Sequence, residues 1–494
     1  MYRFLVFFAG FGLMLVELVA ARVAAPHLGA SLITWTSVIG VVLIAMTLGN
    51  CVGGRWADAD KPREKIGWGF LGAGISLFIA NEMAAHASQV LDGSFFGLWP
   101  RIFMFSFLAF FLPAFWFSVL PPLLVKLDAR KIEGIGRAFG TLGAWQAVGS
   151  LVGTFAGGFF FISLFGTKWL FTTLGIACGA LGVWLMREKR PWRHALAWAV
   201  LPLVAFDFIV PKFCTAETNY YCIRVTQEEK DGTSRYVLRL DHLVHSYIDP
   251  AHPERLGYDY ERVYQELVGM QHATSDGFFA FFIGGGGYAF PRYLEAAYPH
   301  ATLTVAEIDP GVTRMNFTQL HLATSTRIVS ENMDARMFVR TRGDHAPYQY
   351  VFGDAFNDFS VPYHLTTVEF HRELKKRMTP DGVYALNVID DARYGHFLAS
   401  MIRTLREVWS HVYLAPLNDS IKTGRNTFVL IATDAPIDAE EWTRHVSARE
   451  RPESLLLLPE EQVNAFLEKH PAPALTDDFA PVDRYLSPVF QDAY

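Results

Sequence analysis

Three acidic side chains follow successive predicted strands in the second half of the chain. They are Glu307, Asp334 and Asp354. Because ligands of an open α/β sheet bind at the carboxyl ends of its strands, we expect these carboxylates to face one ligand. Glu307 would accept hydrogen bonds from ribose hydroxyls and Asp334 from the exocyclic amine of an adenine, while Asp354 would face the reacting centre. An alternative for Asp334 is helix N-capping, a role to which aspartate is well suited.

A run of four glycines precedes these acids and follows an unbroken apolar segment, Phe278–Ile283. Such a segment is typical of a parallel strand whose two faces are both covered. The glycines, Gly284–Gly287, permit a turn that residues with a Cβ atom do not take easily, and they let a ligand approach the backbone. Glu307 follows the first glycine by 23 residues, after a predicted helix and a second strand. This order of elements predicts a nucleoside-binding site.

The composition separates the chain into two halves. Of 494 residues, 51% are hydrophobic, and the formal net charge is −6. Long apolar runs fill residues 1–212, whereas residues 213–494 have the mixture of a soluble domain. The charge gives no reason to expect nucleic acid as a partner, and no Cys/His cluster has the spacing of zinc ligands. The first apolar run is too long for the core of a signal peptide, so we interpret it as a retained span.

Seven apolar segments are candidate membrane spans, each near the ~20 residues that cross the hydrocarbon core. They are 3–25, 32–54, 67–86, 102–125, 139–162, 168–186 and 195–211. The links after spans 2, 4 and 6 hold twelve basic residues, whereas the links after spans 1, 3 and 5, together with the first residue of span 6, hold two, Arg101 and Lys168. The positive-inside rule therefore predicts a cytoplasmic N-terminus.

Three features of this half leave alternatives open. Span 7 is short and polar in places, so the soluble half is extracytoplasmic if it crosses and cytoplasmic if it lies in the interface. Glu17 and Arg22 lie about 140° apart around span 1. Each should find a partner on another helix, in a polar functional site or in a structural ion pair. Cys214 and Cys222 either form a disulfide outside the cytoplasm or are two unpaired thiols.

Alternating strands and helices dominate the soluble half. Residues 213–258 predict a small β-hairpin unit. Residues 259–435 imply a parallel sheet covered on both faces, with an antiparallel hairpin of the last two strands at its edge. The predicted fold is therefore an N-terminal α-helical transmembrane bundle plus a C-terminal α/β class I methyltransferase-like (Rossmann-like) domain, preceded by the small β unit. Residues 436–494 predict C-terminal helices and a polar tail.

The motifs of this half are similar to those of the polyamine aminopropyltransferase (spermidine synthase-like) family in its membrane-fused bacterial form. The resemblance covers residues 217–435. It includes LDxxxxS at 240–246, YQE at 264–266, GGGG at 284–287, EIDP at 307–310, DAR at 334–336 and YxxxxxDAFND at 348–358. The pattern of Glu17, Arg22, Pro26 and Gly29 also resembles the membrane domain of that form.

This resemblance implies a transferase whose co-substrate is decarboxylated S-adenosylmethionine, with no tightly bound cofactor. The donor would contact Gly284, Gly285, Gly286, Gly287, Glu307, Asp334 and Ala335. Asp354 would be the catalytic acid–base, because a protonated amine cannot attack carbon until a carboxylate takes its proton. The acceptor, a polyamine such as putrescine, would contact His245, Tyr264, Gln265, Tyr348 and Asp358. The resemblance further implies a multi-pass location in the bacterial inner membrane, with the bilayer as a partner, and is compatible with a homodimer.

Several residues depart from the family pattern. The soluble enzymes place an aspartate where this chain has Gly287, and that aspartate holds the donor's aminopropyl ammonium. His245 stands where they have glutamine, and Gln265 where they have histidine. We therefore expect the adenosyl half of the site to be kept, and recognition of the donor tail and acceptor to differ. His245 is either a polar contact or base near neutral pH, or a histidine hydrogen-bonded within the β unit.

Three functions stay open. The first is membrane-anchored aminopropyl transfer to a polyamine. The second is an S-adenosylmethionine-dependent transferase acting on a membrane-borne amine or lipid, since a methyltransferase binds a donor with a full amino-acid tail. The third is a polyamine-binding transporter or sensor without catalysis, which the charges in span 1 favour and Asp354 disfavours.

Overall fold

The chain divides into two compact units, Met1–Cys222 and Ile223–Tyr494. The computed structural model describes residues 1–28, 32–59, 62–86, 98–129, 135–186, 213–230, 233–342, 347–355, 361–417, 424–449 and 452–491. The predicted boundary at residue 213 is too early, because the segment Phe213–Cys222 belongs to the first unit. The predicted β unit, Rossmann-like domain and C-terminal helices form the second unit together.

Six long apolar helices build the first unit. They are α1 (Tyr2–Leu28), α2 (Leu32–Asp58), α3 (Pro62–Ala85), α4 (Leu98–Asp128), α5 (Ile135–Ala156) and α6 (Thr167–Leu185). A π-helical turn, Gly157–Phe161, and a last turn, Ile162–Phe165, extend α5. Each helix or extended helix is long and apolar enough to cross a bilayer, which confirms six of the predicted spans. The predicted span 195–211 lies outside the described residues.

Small residues let these helices pack closely. A Cβ atom on Gly49 would lie 2.5 Å from the Phe115 carbonyl oxygen, so α2 and α4 meet backbone to backbone at that point. On the other side of the unit, a Cβ atom on Gly153 would lie 2.5 Å from the Phe11 carbonyl oxygen. Close approach of this kind is how membrane helices gain packing energy where lipid offers no hydrophobic advantage.

Arg22 binds the segment that follows the spans. Its guanidinium donates to the carbonyl oxygens of Thr218, at 2.9 Å, and Tyr220. The expectation that Arg22 pairs with another helix is therefore wrong. Arg22 instead donates to backbone carbonyl oxygens of an irregular segment. Cys214 and Cys222 form a disulfide around the same segment, which decides between the two alternatives.

The second unit begins with three antiparallel strands: β2 (Cys222–Lys230), β3 (Thr233–Leu240) and β4 (Leu243–Ile248); the two-residue β1 (Ala216–Glu217) precedes them. The pairing of β3 with β4 shifts register once, since Leu238 lies opposite Ser246 but Arg239 lies opposite Val244. His245 is thus the extra residue of a β-bulge, a device that redirects side chains locally.

A seven-stranded sheet forms the centre of the unit, in the order β10-β11-β9-β8-β5-β6-β7. Its strands are β5 (Phe279–Ile283), β6 (Thr302–Ala306), β7 (Val329–Glu331), β8 (Tyr348–Gly353), β9 (Met378–Asp391), β10 (His411–Pro416) and β11 (Arg425–Thr433). The strands β5 to β9 pair in parallel, and β11 pairs antiparallel with both β9 and β10. The predicted α/β fold with its edge hairpin is confirmed.

Helices cover both faces of this sheet. They are α7 (Asp259–Gln271), α8 (Ala289–Ala297), α9 (Pro310–Thr318), α10 (Ala335–Thr341), α11 (Val368–Lys375), α12 (His396–Arg406), α13 (Ala439–Ser447), α14 (Glu460–Lys469) and α15 (Val482–Gln491). Short 3-10 turns cover Tyr363–Leu365 and Pro452–Leu455. The predicted polar tail ends in a helix, Val482–Gln491, in which Val482, Leu486 and Val489 supply a buried apolar stripe at helical spacing.

Arg336 ties the C-terminal segment to the sheet. Its two terminal nitrogens donate to the carboxylate oxygens of Asp477 at 2.7 and 2.6 Å, and the Thr367 hydroxyl donates to the same carboxylate at 2.7 Å. The Arg336 side chain is only 8% exposed. The Asp477 carboxylate therefore supplies hydrogen-bond acceptors to a guanidinium that water hardly reaches.

We expect Asp477→Ala to destabilise the second unit by about 2 kcal/mol, because it leaves a mostly buried guanidinium without its main partner. Thermal unfolding of the purified full chain measures this as a lower midpoint. Asp478→Ala is the matched control, since the neighbouring Asp478 is exposed. Equal midpoints for the two variants would contradict the anchoring role of Asp477.

Candidate active site

The site lies where β5 and β8 run side by side and their carboxyl ends diverge into loops. Ile283 lies opposite Gly353, and the Asp354 amide donates to the Ile283 carbonyl at 2.9 Å. Gly284 has φ +90°, and a Cβ atom there would lie 2.4 Å from the Asp354 carbonyl oxygen. Glycine is therefore required at this position, both for its backbone conformation and for the close approach of the two loops.

Glu307 organises the glycine loop from the end of β6. One carboxylate oxygen accepts from the Gly285 amide and the other from the Asp309 amide, both at 2.9 Å. Burial raises the pKa of Glu307 to about 6, although these amides favour the charged form. Each oxygen keeps a further lone pair, so the carboxylate can still accept from a bound hydroxyl.

Ser246 closes the far end of the loop. Its hydroxyl oxygen accepts from the Gly287 amide at 2.8 Å. A Cβ atom on Gly287 would lie 2.6 Å from the Ser246 Cβ and 3.0 Å from the Ile248 Cδ1. The space that an aspartate would need at position 287 is therefore occupied by strand β4. Ser246 was part of the recognised LDxxxxS motif, but its contact with the loop was not predicted.

Tyr288 follows the loop in a left-handed conformation, with φ +58°. This conformation is uncommon for a residue with a bulky side chain. Its ring is buried, and its hydroxyl is 3.0 Å from the Ser330 hydroxyl oxygen. Burial and this hydrogen bond hold Tyr288 beneath the loop, where it supports Gly285 from below.

Two side chains from different elements hold the carboxylate of Asp354. The Tyr260 hydroxyl donates to one oxygen at 2.7 Å, and the Asn387 amide donates to the other at 3.0 Å. Burial raises the pKa of Asp354, and both hydrogen bonds oppose that shift because they stabilise the charged form. Tyr264 lies one helical turn from Tyr260 and donates to the Gly353 carbonyl at 3.3 Å. The predicted placement of Asp354 and Tyr264 in one site is thus realised.

A second buried acid, Glu261, lies at the start of α7. It accepts from the Gly257 and Tyr258 amides at 3.2 and 3.1 Å, as the acid of a capping box does. Burial raises its pKa to about 8, and the charge of Asp354 contributes. Glu261 was not predicted. Its signal in the sequence was an acid at the third position of a helix, which indicated only capping.

Aromatic rings accompany these two acids. The ring centroids of Tyr258 and Tyr260 are 5.5 Å apart, as are those of Tyr260 and Tyr264. Ring faces attract cations, and buried carboxylates do so more strongly. The arrangement therefore suits a cationic ligand beside Asp354.

Asp334 caps the helix that it begins. Its carboxylate accepts from the Met337 amide at 2.9 Å, and its second oxygen is 2.7 Å from His364 Nε2. Burial opposes ionisation, but the hydrogen bonds from His364 and the amides outweigh it and lower the pKa. The capping alternative is therefore realised, and Ala335 is buried as the first residue of the helix. His364, which was not predicted, orients the carboxylate.

His245 lies on the β-bulge next to Ser246. Its Nε2 is buried and has no hydrogen-bond partner in the part of the chain that the structure describes. Burial lowers its pKa to about 4. The imidazole is therefore neutral near pH 7, and its lowered pKa makes it a weak base there. A ligand contact of His245 stays a prediction.

Tyr348 is not in the site. It begins β8 at the opposite edge of the sheet from Asp354, and its ring stacks on Phe281 with centroids 5.3 Å apart. The prediction was wrong because the first and last residues of a strand of this length lie at opposite ends of the strand, on opposite sides of the sheet.

Gln265 hydrogen-bonds with Tyr293 on α8. Asp358 lies outside the described residues.

Comparison with known proteins finds two kinds of sequence similarity. A sequence model of the Major Facilitator Superfamily matches residues 4–296, which include all six membrane helices and extend into the second unit. A polyamine aminopropyltransferase of Vibrio vulnificus (strain CMCP6) is 31% identical over 133 residues, which are 26% of this chain and 43% of that protein. A probable polyamine aminopropyl transferase of Bifidobacterium longum (strain NCC 2705) is 25% identical over 109 residues, which are 22% of this chain and 24% of that protein. The chain thus spans less than half the length of these curated relatives.

Solved structures resemble the chain more distantly. A probable spermidine synthase from Corynebacterium glutamicum has a TM-score of 0.46 and 21% identity, covering 53% of this chain and 95% of that one. A spermidine synthase from Thermotoga maritima has a TM-score of 0.34 and 15% identity, covering 50% and 89%. Such low scores carry no argument about function.

The predicted resemblance to membrane-fused polyamine aminopropyltransferases is confirmed by the two kinds of sequence match together. One match covers the membrane unit, and the other is to aminopropyltransferases. The chain belongs to the Major Facilitator Superfamily, in a form that joins its membrane helices to a soluble unit similar to polyamine aminopropyltransferases.

Proposed function

We propose that the protein transfers an aminopropyl group from decarboxylated S-adenosylmethionine to a polyamine such as putrescine, in the inner membrane of a bacterium. The observation that carries this proposal is the carboxylate of Asp354. It lies beside the glycine loop, and Tyr260 and Asn387 hold both of its oxygens. A positioned carboxylate next to a nucleoside loop is what proton removal from an amine requires.

The reaction follows from these positions. The acceptor amine gives a proton to Asp354 and so exposes its lone pair. That lone pair attacks the donor carbon next to the sulfonium, the new N–C bond forms, and the C–S bond breaks with its electrons going to sulfur. The products are the extended polyamine and a neutral thioether nucleoside, and the proton remains on Asp354 until it passes to solvent.

The donor would lie over Gly284–Gly287. Glu307 keeps lone pairs for the ribose hydroxyls, and Asp334, fixed by His364, would lie at the adenine end with Ala335. The acceptor would lie along Tyr260 and Tyr264, where the two acids compensate its charge. Binding a cation between these carboxylates also lowers their pKa values and so favours the charged form of Asp354 that the reaction needs.

A second candidate is transfer from S-adenosylmethionine itself to a membrane-borne amine or lipid. The observation that favours it is the contact of Gly287 with Ser246, which leaves no room for the carboxylate that binds an aminopropyl ammonium in the soluble enzymes. Incubation of the purified protein with putrescine and each labelled donor separates the candidates. Label in spermidine supports the first, label in extracted lipid supports the second, and binding without turnover supports a sensor or transporter.

Asp354→Asn should lower kcat by about 10²- to 10⁴-fold, because the amide cannot accept the amine proton. Donor affinity should change little, since the loop and Glu307 remain. The matched variant is Asp334→Asn, which should weaken donor binding and lower kcat much less. Titration calorimetry with the donor and steady-state rates measure both effects. Full activity of Asp354→Asn would exclude this residue as the proton acceptor.

The pH dependence reports the same carboxylate. Because the proton acceptor must be ionised, kcat/KM should fall as the pH drops through the raised pKa of Asp354. Asn387→Leu removes a hydrogen bond to the charged form, so the pKa should rise further and the acidic limb should move to higher pH by about one unit. Asn426→Leu on the neighbouring strand is the control, as its side-chain oxygen accepts from the Thr427 amide. An unmoved limb in Asn387→Leu would show that another group controls the profile.

Gly287→Asp should impair folding and donor binding, because its Cβ would collide with Ser246. The double variant Gly287→Asp/Ser246→Gly removes the two contacts with Ser246 and leaves the one with the end of the Ile248 side chain, which can shift. If the decarboxylated donor is the substrate, the new carboxylate should bind its ammonium and tighten binding about tenfold relative to Ser246→Gly alone. Thermal midpoints and donor dissociation constants test both statements. A Gly287→Asp variant as stable as the parent would mean that β4 does not block this position.

A further inference from the structure

Contacts within the first unit define its two faces. On one face the Lys126 ammonium is 3.2 Å from the Asp58 carboxylate, which brings the ends of α2 and α4 together. A Cβ atom on Gly67 would lie 2.5 Å from the Met186 Cγ, so the start of α3 meets the end of α6 there too. This face, defined by Asp58, Gly67, Lys126 and Met186, carries the links rich in lysine and arginine, and we call it the basic face.

The other ends of the helices meet at the opposite face. The Asn81 amide near the end of α3 donates to the Lys168 carbonyl at 3.1 Å, at the start of α6. The His27 ring at the end of α1 lies 6.3 Å from the Phe105 ring in the first turns of α4. The ends of α1 and α3 and the starts of α4 and α6 therefore share this face.

The segment Phe213–Cys222 is bound to that opposite face. The Phe213 ring lies 4.7 Å from the His27 ring, and Arg22 donates to the carbonyls of Thr218 and Tyr220. From α6, the Thr167 amide donates to the Glu217 carboxylate at 2.9 Å. All these contacts lie within the first unit, and they involve two separate helices.

The chain therefore changes faces between two described residues. Helix α6 begins at the opposite face, at Thr167, and Met186 follows its end at the basic face. Phe213 is again at the opposite face. The described chain thus reaches the basic face at Met186 and is bound to the opposite face at Phe213.

Two independent observations identify the opposite face. By sequence, the links after spans 2, 4 and 6 together with the adjoining helix ends hold twelve lysine and arginine residues, against two at the other helix ends, so the basic face is cytoplasmic by the positive-inside rule. Cys214 and Cys222 form a disulfide on the opposite face, and disulfides persist in oxidising compartments outside the cytoplasm. We propose that the second unit, which continues from Cys222, is held on the extracytoplasmic side of the membrane.

This location restricts the substrates if the proposed transfer is correct. The donor is a charged sulfonium nucleoside that does not pass a bilayer unaided, so an export step has to supply it. The acceptor is then an amine present outside the cytoplasm, either a free polyamine or an amine at the outer membrane surface. The location itself rests on the membrane unit alone and stands or falls independently of the reaction.

Cysteine labelling in intact cells tests the location without measuring activity. In a Cys51→Ala/Cys178→Ala background, a membrane-impermeant maleimide should label Cys214 and Cys222 only after treatment with an impermeant reductant. The matched control carries Lys126→Cys and lacks all four native cysteines, and it should be labelled only after the cells are permeabilised. Protection of Cys214 and Cys222 together with labelling of Lys126→Cys in intact cells would overturn the proposal.

A second measurement leaves the native cysteines in place. Alkaline phosphatase fused after Tyr494 should be active, because it folds only outside the cytoplasm, whereas green fluorescent protein fused at the same position should be dark. The reverse pattern would refute an extracytoplasmic second unit. Because neither reporter depends on turnover, an inactive enzyme in the labelled-donor assay leaves this result unaffected.

Discussion

The parallel pairing of β5 with β8 is the constraint on which the candidate site depends. Because Ile283 and Gly353 lie opposite one another, the two chains leave the sheet side by side. The glycine loop and the backbone of Asp354 then come so close that only glycine fits at position 284. The sheet geometry therefore brings the glycine loop next to Asp354, and a ligand on the loop would lie beside that residue.

Burial disfavours the charged form of Glu307, Glu261 and Asp354. Different hydrogen-bond donors offset this effect for each of these acids. Glu307 accepts from one backbone amide of the glycine loop and one of its own loop, and Glu261 accepts from two amides at its own helix start. Asp354 instead depends on side chains from α7 and β9. Of these three acids, Asp354 is thus the one that depends on the side chains of other elements for its hydrogen bonds.

Much of the fold followed from the sequence because its signals are local. Apolar length revealed six spans, and the alternation of strands and helices revealed the sheet with its edge hairpin. The three acids follow β6, β7 and β8, whose carboxyl ends share one side of the parallel sheet, and their roles toward a ligand stay predictions. The prediction for Tyr348 was wrong, because its motif extends along β8. The first residue of that motif therefore lies at the other end of the strand from Asp354. Ser246 and His364 act through contacts between distant segments, which no spacing along the chain predicts. Glu261 makes local capping bonds, and its pattern in the sequence indicated capping only.

The contact between Ser246 and Gly287 links two positions that are 41 residues apart. A side chain at position 287 fits only after Ser246 has been replaced by a smaller residue. Replacing Ser246 first, in contrast, removes one hydrogen bond. Natural variation should therefore show an ordered, epistatic route: a smaller residue at 246 opens the way, and a charge at 287 follows. Donor preference in this family would then evolve in one direction more easily than in the other.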